Sequence, residues 1–300
     1  MKSTKNKKIE INVKDIAGDF FTHMAEQGLA ATPAQIRKIS EKISSTMGYE
    51  PKVGVFGKTG VGKSSLCNAL FGRKIAKVSN VAACTRKPQE VLLNLSSQGG
   101  GLTLLDVPGV GESRERDVEY SELYENLIPE LDILLWVIKA DDRAYSVEEM
   151  FYNDIVLPII KKSQIPVIFV LNQVDKIAPI RDWDIENYRP GAKQQKNIDA
   201  KILTIKDKFR IPLVKICPIA ADEGYGLTSL VEKIVRYLPA EKKYGIVREA
   251  RTQNVSKKAL NEAEKGVWDT VKSAAEKIFI KAIPYIASAA WAFISKRWIF

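Results

Sequence analysis

Three glycines, two lysines and a serine stand in Gly57-Lys58-Thr59-Gly60-Val61-Gly62-Lys63-Ser64, a spacing of the form G-x-x-x-x-G-K-[ST] that is suited to handling phosphate. Glycines let successive backbone N–H groups turn inward around a diphosphate that a Cβ would obstruct. Lys63 is expected to reach the β- and γ-phosphates, and Ser64 to offer its hydroxyl to Mg2+. The helix that begins there, carrying Ser65, would point its positive dipole end at the same charge. The flanks support the motif. Val53-Gly54-Val55-Phe56 reads as a short buried strand, and Leu66, Ala69 and Leu70 recur at helical spacing. That context separates a phosphate cradle from a tight turn that binds nothing.

A second set of residues addresses a base. The apolar run Ile165 to Leu171 ends in Asn172-Gln173-Val174-Asp175, at the carboxyl end of a predicted parallel strand, where such sheets bind ligands. This resembles the N-K-x-D motif of the GTPases. On that resemblance Asn172 and Asp175 select guanine, since a carboxylate at Asp175 can accept from the N1–H and the 2-amino group, neither of which adenine supplies there. A polar site of this kind rejects a base lacking the partner groups by about 10^4-fold. Gln173 departs from the family's lysine, whose stem braces the phosphate loop. Pro218-Ile219-Ala220-Ala221-Asp222 resembles the S-A-x loop, in which the amide at Ala221 would meet guanine O6; Ala220 replaces the usual serine.

Leu102 to Gly109 reads as a strand running into D-x-P-G, where the GTPase resemblance implies that Asp106 would hold Mg2+ through water and the Gly109 N–H would sense the γ-phosphate. Thr85, in Asn80-Val81-Ala82-Ala83-Cys84-Thr85-Arg86, is the candidate switch threonine on the metal, by similarity to A-x-C-T-R segments in relatives of the bacterial GTPase Era. Taken in order, the motifs resemble the Era-like (TrmE-Era) GTPases, particularly small bacterial ones with D-x-P-G-x-G-E-S. The resemblance covers roughly residues 51 to 240. It implies GTP and GDP as ligands, Mg2+ as the metal, hydrolysis to GDP and phosphate, and switch segments at 73–88 and 107–118. Val110 occupies the place of the water-orienting glutamine of Ras-type enzymes, and Gly60 the place of the potassium-binding asparagine of some Era relatives. Three sources remain for the missing group: Glu112, an arginine such as Arg86 or Arg114, or a residue from a second subunit or regulator. Turnover that is slow alone and raised by self-association or a partner is therefore expected. The alternative is a nucleotide-holding scaffold at a membrane or ribosome surface, with incidental hydrolysis; Val110, Gln173 and Ala220 favour it.

The elements that must position these residues form an α/β pattern. Strands are predicted near 52–56, 89–95, 102–107, 132–138, 165–171 and 212–217, with helices near 63–71, 119–128, 146–161, 196–209 and 226–237. The pair 89–95 and 102–107 lacks an intervening helix and reads as a hairpin in an otherwise parallel sheet. A Ras-like P-loop G domain with a mixed, mostly parallel six-stranded sheet follows as the fold, with helical extensions at 1–50 and 241–300.

Composition bounds the rest. With 45% hydrophobic and 27% charged residues the 300-residue chain holds one sizeable globular domain plus appendages. Cys67, Cys84 and Cys217 lack metal spacing and are expected to be reduced thiols of a cytoplasmic protein. His23 is the single histidine, which removes His-based triads and His-ligated metal centres from consideration. The Lys-rich start has no apolar h-region, so no signal peptide is expected. In the first flank Ile36, Ile39, Ile43 and Met47 form one stripe after Thr32-Pro33, with another helix expected around 16–24. Two readings stand for it: a helical hairpin packed on the G domain, or a partner-binding arm.

The second flank, 241–300, carries 12 Lys or Arg against 6 Asp or Glu. Trp268, Val271, Ala275, Ile278, Phe279, Ala282 and Ile286 form a helical stripe, and 282–294 holds no charge. Thirteen residues span about 20 Å of helix, short of the roughly 30 Å hydrocarbon core, and Pro284 implies a kink. A simple transmembrane anchor is disfavoured. Contact of 265–300 with an anionic membrane surface, at the inner face, competes with a helix folded back on the G domain or buried in a homodimer. RNA or ribosome contact is less favoured, since Gly245 and Gly266 are too far apart for the G-x-x-G loop of an RNA-binding KH domain.

Overall fold

The computed structural model describes residues 18, 21, 22, 25, 26, 31–72, 89–94, 101–106, 124–142 and 145–278. Thr85, Arg86, Gly109, Val110, Glu112 and Arg114, with both switch segments, His23, Cys84 and 279–300, lie outside the described residues.

Helix α1 (Pro33–Met47) starts where the sequence provides a complete cap: the Thr32 hydroxyl accepts the Gln35 N–H, the Gln35 side chain returns to the Thr32 N–H, and Pro33 fills the first helical position. Then follow β1 (Lys52–Phe56), α2 (Lys63–Phe71), the strands β2 (Gln89–Asn94) and β3 (Gly101–Asp106), and β4 (Ile133–Lys139). Next come α3 (Ser146–Phe151), a π-helical segment Tyr152–Val156, α4 (Leu157–Ser163) and β5 (Val167–Asn172). A two-strand hairpin, β6 (Trp183–Asp184) with β7 (Arg189–Pro190), precedes α5 (Ala192–Phe209). The chain continues through β8 (Ile216–Pro218), α6 (Leu227–Tyr237), α7 (Lys243–Glu249) and α8 (Lys257–Ile278).

Six strands form one sheet in the order β2-β3-β1-β4-β5-β8. Only the β2–β3 pair is antiparallel, Gln89 facing Asp106 and Asn94 facing Gly101. The remaining pairs are parallel, which agrees with the expected mixed sheet and its hairpin. Both sheet faces are covered, so the central strands are apolar throughout. Along β4 the side chains alternate: Ile133, Leu135 and Val137 join α2 and α6 on one face, while Leu134, Trp136 and Ile138 meet Tyr152, Phe169 and Phe209 on the other.

Several boundaries differ from the sequence expectation. The helix expected over 146–161 widens to π geometry at 152–156, just before Pro158, whose missing N–H cannot complete a regular turn. The strand expected over 212–217 is a 3-10 turn, Leu213–Lys215, followed by the short β8. Helix α5 begins four residues earlier than expected, because Asp182 accepts the Gln194 N–H at its start.

The flanks pack on the sheet domain. Helix α8 lies against α1, α6 and α7; Ile39, Ile43 and Met47 are buried on α1, and Trp268, Val271 and Ala275 on α8. Ile36, expected on the same stripe, is 38% exposed. From Val267 to Ala275 the apolar face is therefore covered by protein. Gly266 permits this packing, since a Cβ there would collide with the Ala240 carbonyl. At the foot of the sheet Asp132, 4% exposed, accepts the Tyr49 hydroxyl at 3.0 Å and the Lys52 N–H at 2.8 Å and pairs with the Lys242 ammonium. Arg248 reaches the Met47 and Tyr49 carbonyls. No helix among the described residues is long and apolar enough to cross a membrane.

Candidate nucleotide site

The loop between β1 and α2 takes a conformation that its glycines alone permit. Gly57, Gly60 and Gly62 have φ of 145°, 85° and 89°. A Cβ on Gly57 would collide with the Val137 carbonyl, and one on Gly62 with the Asn172 carboxamide; at Gly60 the space is open. Packing thus fixes the loop on its inner side. The Lys63 ammonium bonds the Gly57 and Lys58 carbonyls at 2.8 and 3.2 Å, inside the curve of the loop. Ser64 and Ser65 follow in the first turn of α2, whose N-terminus opens onto the loop. Asp106 closes β3 and lies opposite Val55 in the parallel register, so it stands beside the strand end that feeds the loop. Ser64 at the start of α2 and Asp106 at the end of β3 thus sit on elements that both adjoin β1, and a hydroxyl and a carboxylate are residue types suited to Mg2+.

Lys58 anchors the loop through its side chain. Its ammonium pairs with Glu148 at 3.2 Å and Asp142 at 3.5 Å, tying the loop to α3. Burial raises the Glu148 carboxyl above its ordinary value; Lys58 works against that rise and Asp142 adds to it. Thr59, at the tip of the loop, is part of a turn.

The base-side loops meet the phosphate loop through Asn172. Its amide nitrogen donates to the Val61 carbonyl at 2.9 Å, and its oxygen accepts the Ala221 N–H at 3.2 Å. Asn172 is 1% exposed, so this side chain braces three loops from within. The Ala221 amide, expected at guanine O6, is engaged by Asn172, and Ala220 exchanges two backbone bonds with Tyr225. Backbone bonds complete the junction: Ala140 N–H to the Asn172 carbonyl, Ile219 N–H to Leu171, and Val174 N–H to Ile219. Gln173 has φ 63°, and its side chain lies beside Gly62 while its oxygen accepts from Lys176. Asp175 is half-buried in the next turn. Burial, with Asp222 and Asp141 nearby, raises its carboxyl above the ordinary aspartate value, against the opposing effects of its own backbone N–H and Lys176.

Sequence reasoning missed Gln194. It is fully buried, and its amide nitrogen donates to the Asp175 carbonyl at 2.9 Å and the Ile177 carbonyl at 2.8 Å. The signal was present: Gln194 occupies the same α5 stripe as buried Ile198, Ile205 and Phe209, a polar residue where the period demands an apolar one. The β6–β7 hairpin was also missed; Trp183 from it meets the edge of Tyr225 at 5.7 Å between ring centroids.

Residues 52–173 match the family described as 50S ribosome-binding GTPase. The uncharacterized protein YkfA of Escherichia coli (strain K12) is 40% identical over 217 residues, 72% of each chain. GTPase Era of Aquifex aeolicus (strain VF5) is 32% identical over 190 residues, which cover 62% of this chain and 56% of that Era. A crystal structure of a probable GTP-binding protein, engB, superposes with a TM-score of 0.43 at 21% identity, covering 62% of this chain and 97% of its own. The chain belongs to the Era-like family of P-loop GTPases.

Proposed function

We propose that this GTPase is a Mg2+-dependent switch whose segments 73–88 and 107–118 respond to the γ-phosphate, slow alone and stimulated by self-association or a partner. Residues 51–240 carry the nucleotide, and 1–50 and 241–300 are helical additions. Lys63 and the amides of Gly57 to Ser65 hold the phosphates, Asp175 receives the guanine, and Asn172 and Gln173 brace the loops that do both. Ser64, Thr85 and Asp106 hold the metal, which when bound would neutralise charge developing on the phosphates. Thr85 and Gly109 read the γ-phosphate.

The observation that carries this reading is the Asn172 bridge, from the Val61 carbonyl to the Ala221 amide, because it joins a phosphate loop and a base loop into one rigid cleft. Dependence on a second molecule is supported by Val110 in the position of the water-orienting residue. Glu112, Arg86, Arg114 or a residue supplied in trans completes the site.

The test is the specific rate of GTP hydrolysis across a range of protein concentrations, with and without anionic liposomes. A rate per molecule that climbs with concentration supports self-association, and one that climbs with lipid supports a membrane partner. A fast rate that is flat under both refutes the dependence. GTP retained over hours under every condition would instead favour the nucleotide-holding scaffold.

A further inference from the structure

We infer that Gln194 sets guanine selectivity in this chain, as the positioning residue that holds the Asp175 turn from behind. The inference rests on the assignment of Asp175 to the base.

The turn after β5 has few backbone bonds of its own: Lys176 N–H reaches Gln173 and Ile177 N–H reaches Val174. Its Asp175 and Ile177 carbonyls point the other way, into the protein, and there they meet the one amide nitrogen of Gln194 at 2.9 and 2.8 Å. The Val174 carbonyl stands at 3.5 Å from the same atom. An oxygen could not occupy a place surrounded by carbonyls, so the carboxamide has one orientation. Asn197, a turn further along α5, adds a bond from its amide to the Ala178 carbonyl at 2.8 Å. Gln194 is fixed in turn by its own N–H, which donates to Asp182 at 2.9 Å.

The Gln194 side-chain oxygen is buried with no hydrogen-bond partner among the described residues. Leaving an acceptor unpaired opposes stability, and an apolar residue on this stripe would avoid it. The glutamine is therefore better explained by what its nitrogen holds than by packing. Selectivity depends on the Asp175 carboxylate meeting two donors of one ring edge, and a turn free to shift by a fraction of an ångström would blunt that match while leaving phosphate contacts intact.

Kd values for GTP and ITP, which lacks the 2-amino group, distinguish these effects in the full-length protein. Wild type is expected to prefer GTP by about 10- to 100-fold, the range for a hydrogen bond to a charged group. Gln194→Met, which keeps the length and removes the donor, and Gln194→Leu should bring the ratio near unity by weakening GTP while ITP changes little. Asn197→Ala, on an exposed side chain, should shift the ratio the same way by a smaller factor and carries the test if the Gln194 variants do not fold. An unchanged ratio in the folded variants, with Asp175→Asn altering it, overturns the role of Gln194 alone. An unchanged ratio in Asp175→Asn as well overturns the base assignment beneath it.

Discussion

The carboxamide nitrogen of Asn172 stands 2.9 Å from the carbonyl oxygen of Val61, so a side chain at the end of β5 fixes the phosphate loop from outside it. Replacing that nitrogen by oxygen in Asn172→Asp would set a carboxylate against a carbonyl in a buried place. A loss of about 1–3 kcal/mol of stability is expected. GTP and GDP affinity should fall together, because the γ-phosphate is not involved. Thermal unfolding and nucleotide titration check both; a variant that loses GTP but keeps GDP would remove Asn172 from its bracing role.

Asp175 should impose a pH limit on guanine binding. Only the carboxylate can accept both guanine donors, and burial raises its pKa above the ordinary 3.8. Affinity for GTP should then decline as pH falls through that raised value, approaching about tenfold per pH unit below it. The decline begins at a higher pH than an exposed aspartate would give. Asp175→Asn should lose this acid limb and turn the preference toward xanthine nucleotides. Titrations of both proteins between pH 4 and pH 8 check it.

Glu232 should protect the packing of α6 against the start of α8 in acid. The Ser256 hydroxyl at 2.7 Å, then Lys258 at 3.3 Å, hold its carboxyl below the ordinary 4.5. The depressed pKa makes the unfolded chain bind the proton first, so the stabilisation is complete above about pH 4.5 and fades as pH drops through the folded value. Ser256→Ala should narrow the difference in stability between pH 6 and pH 3. Urea unfolding at the two pH values is the check.

Asp132 joins three chain segments, and its removal should be felt by all of them. Asp132→Ala leaves the Tyr49 hydroxyl, the Lys52 amide and the Lys242 ammonium without their shared acceptor. A loss of about 1–3 kcal/mol is expected, as for leaving part-buried donors without their acceptor. Hydrogen exchange at the start of β1 and in 240–249 should rise together; a rise in only one segment would refute the shared anchor.

The phosphate loop was legible because steric demand at Gly57 and Gly62 leaves little choice of residue, and the sheet was legible because β4 and β5 are buried on both faces. The start of helix α1 was legible from Thr32-Pro33, and its buried face from Ile39, Ile43 and Met47. What escaped were effects set by distant partners. Nothing local marks Lys58 as the partner of Glu148, ninety residues later, or the Ala221 amide as the partner of Asn172. The sequence period identified the α8 stripe but not its cover, since Trp268 would meet lipid or α1 with the same side chain. Gln194 was overlooked because it precedes the expected helix start at 196, and only the earlier start puts it on the apolar stripe.

Asp132 immediately precedes β4, and the far end of that strand turns at Ala140 against Asn172. Both outer flanks are thus rooted at the base of a stiff rod whose tip borders the nucleotide cleft. Since close-packed interiors yield little, a molecule that grips either flank would have a mechanical line to the bound purine from the opposite end of the sheet.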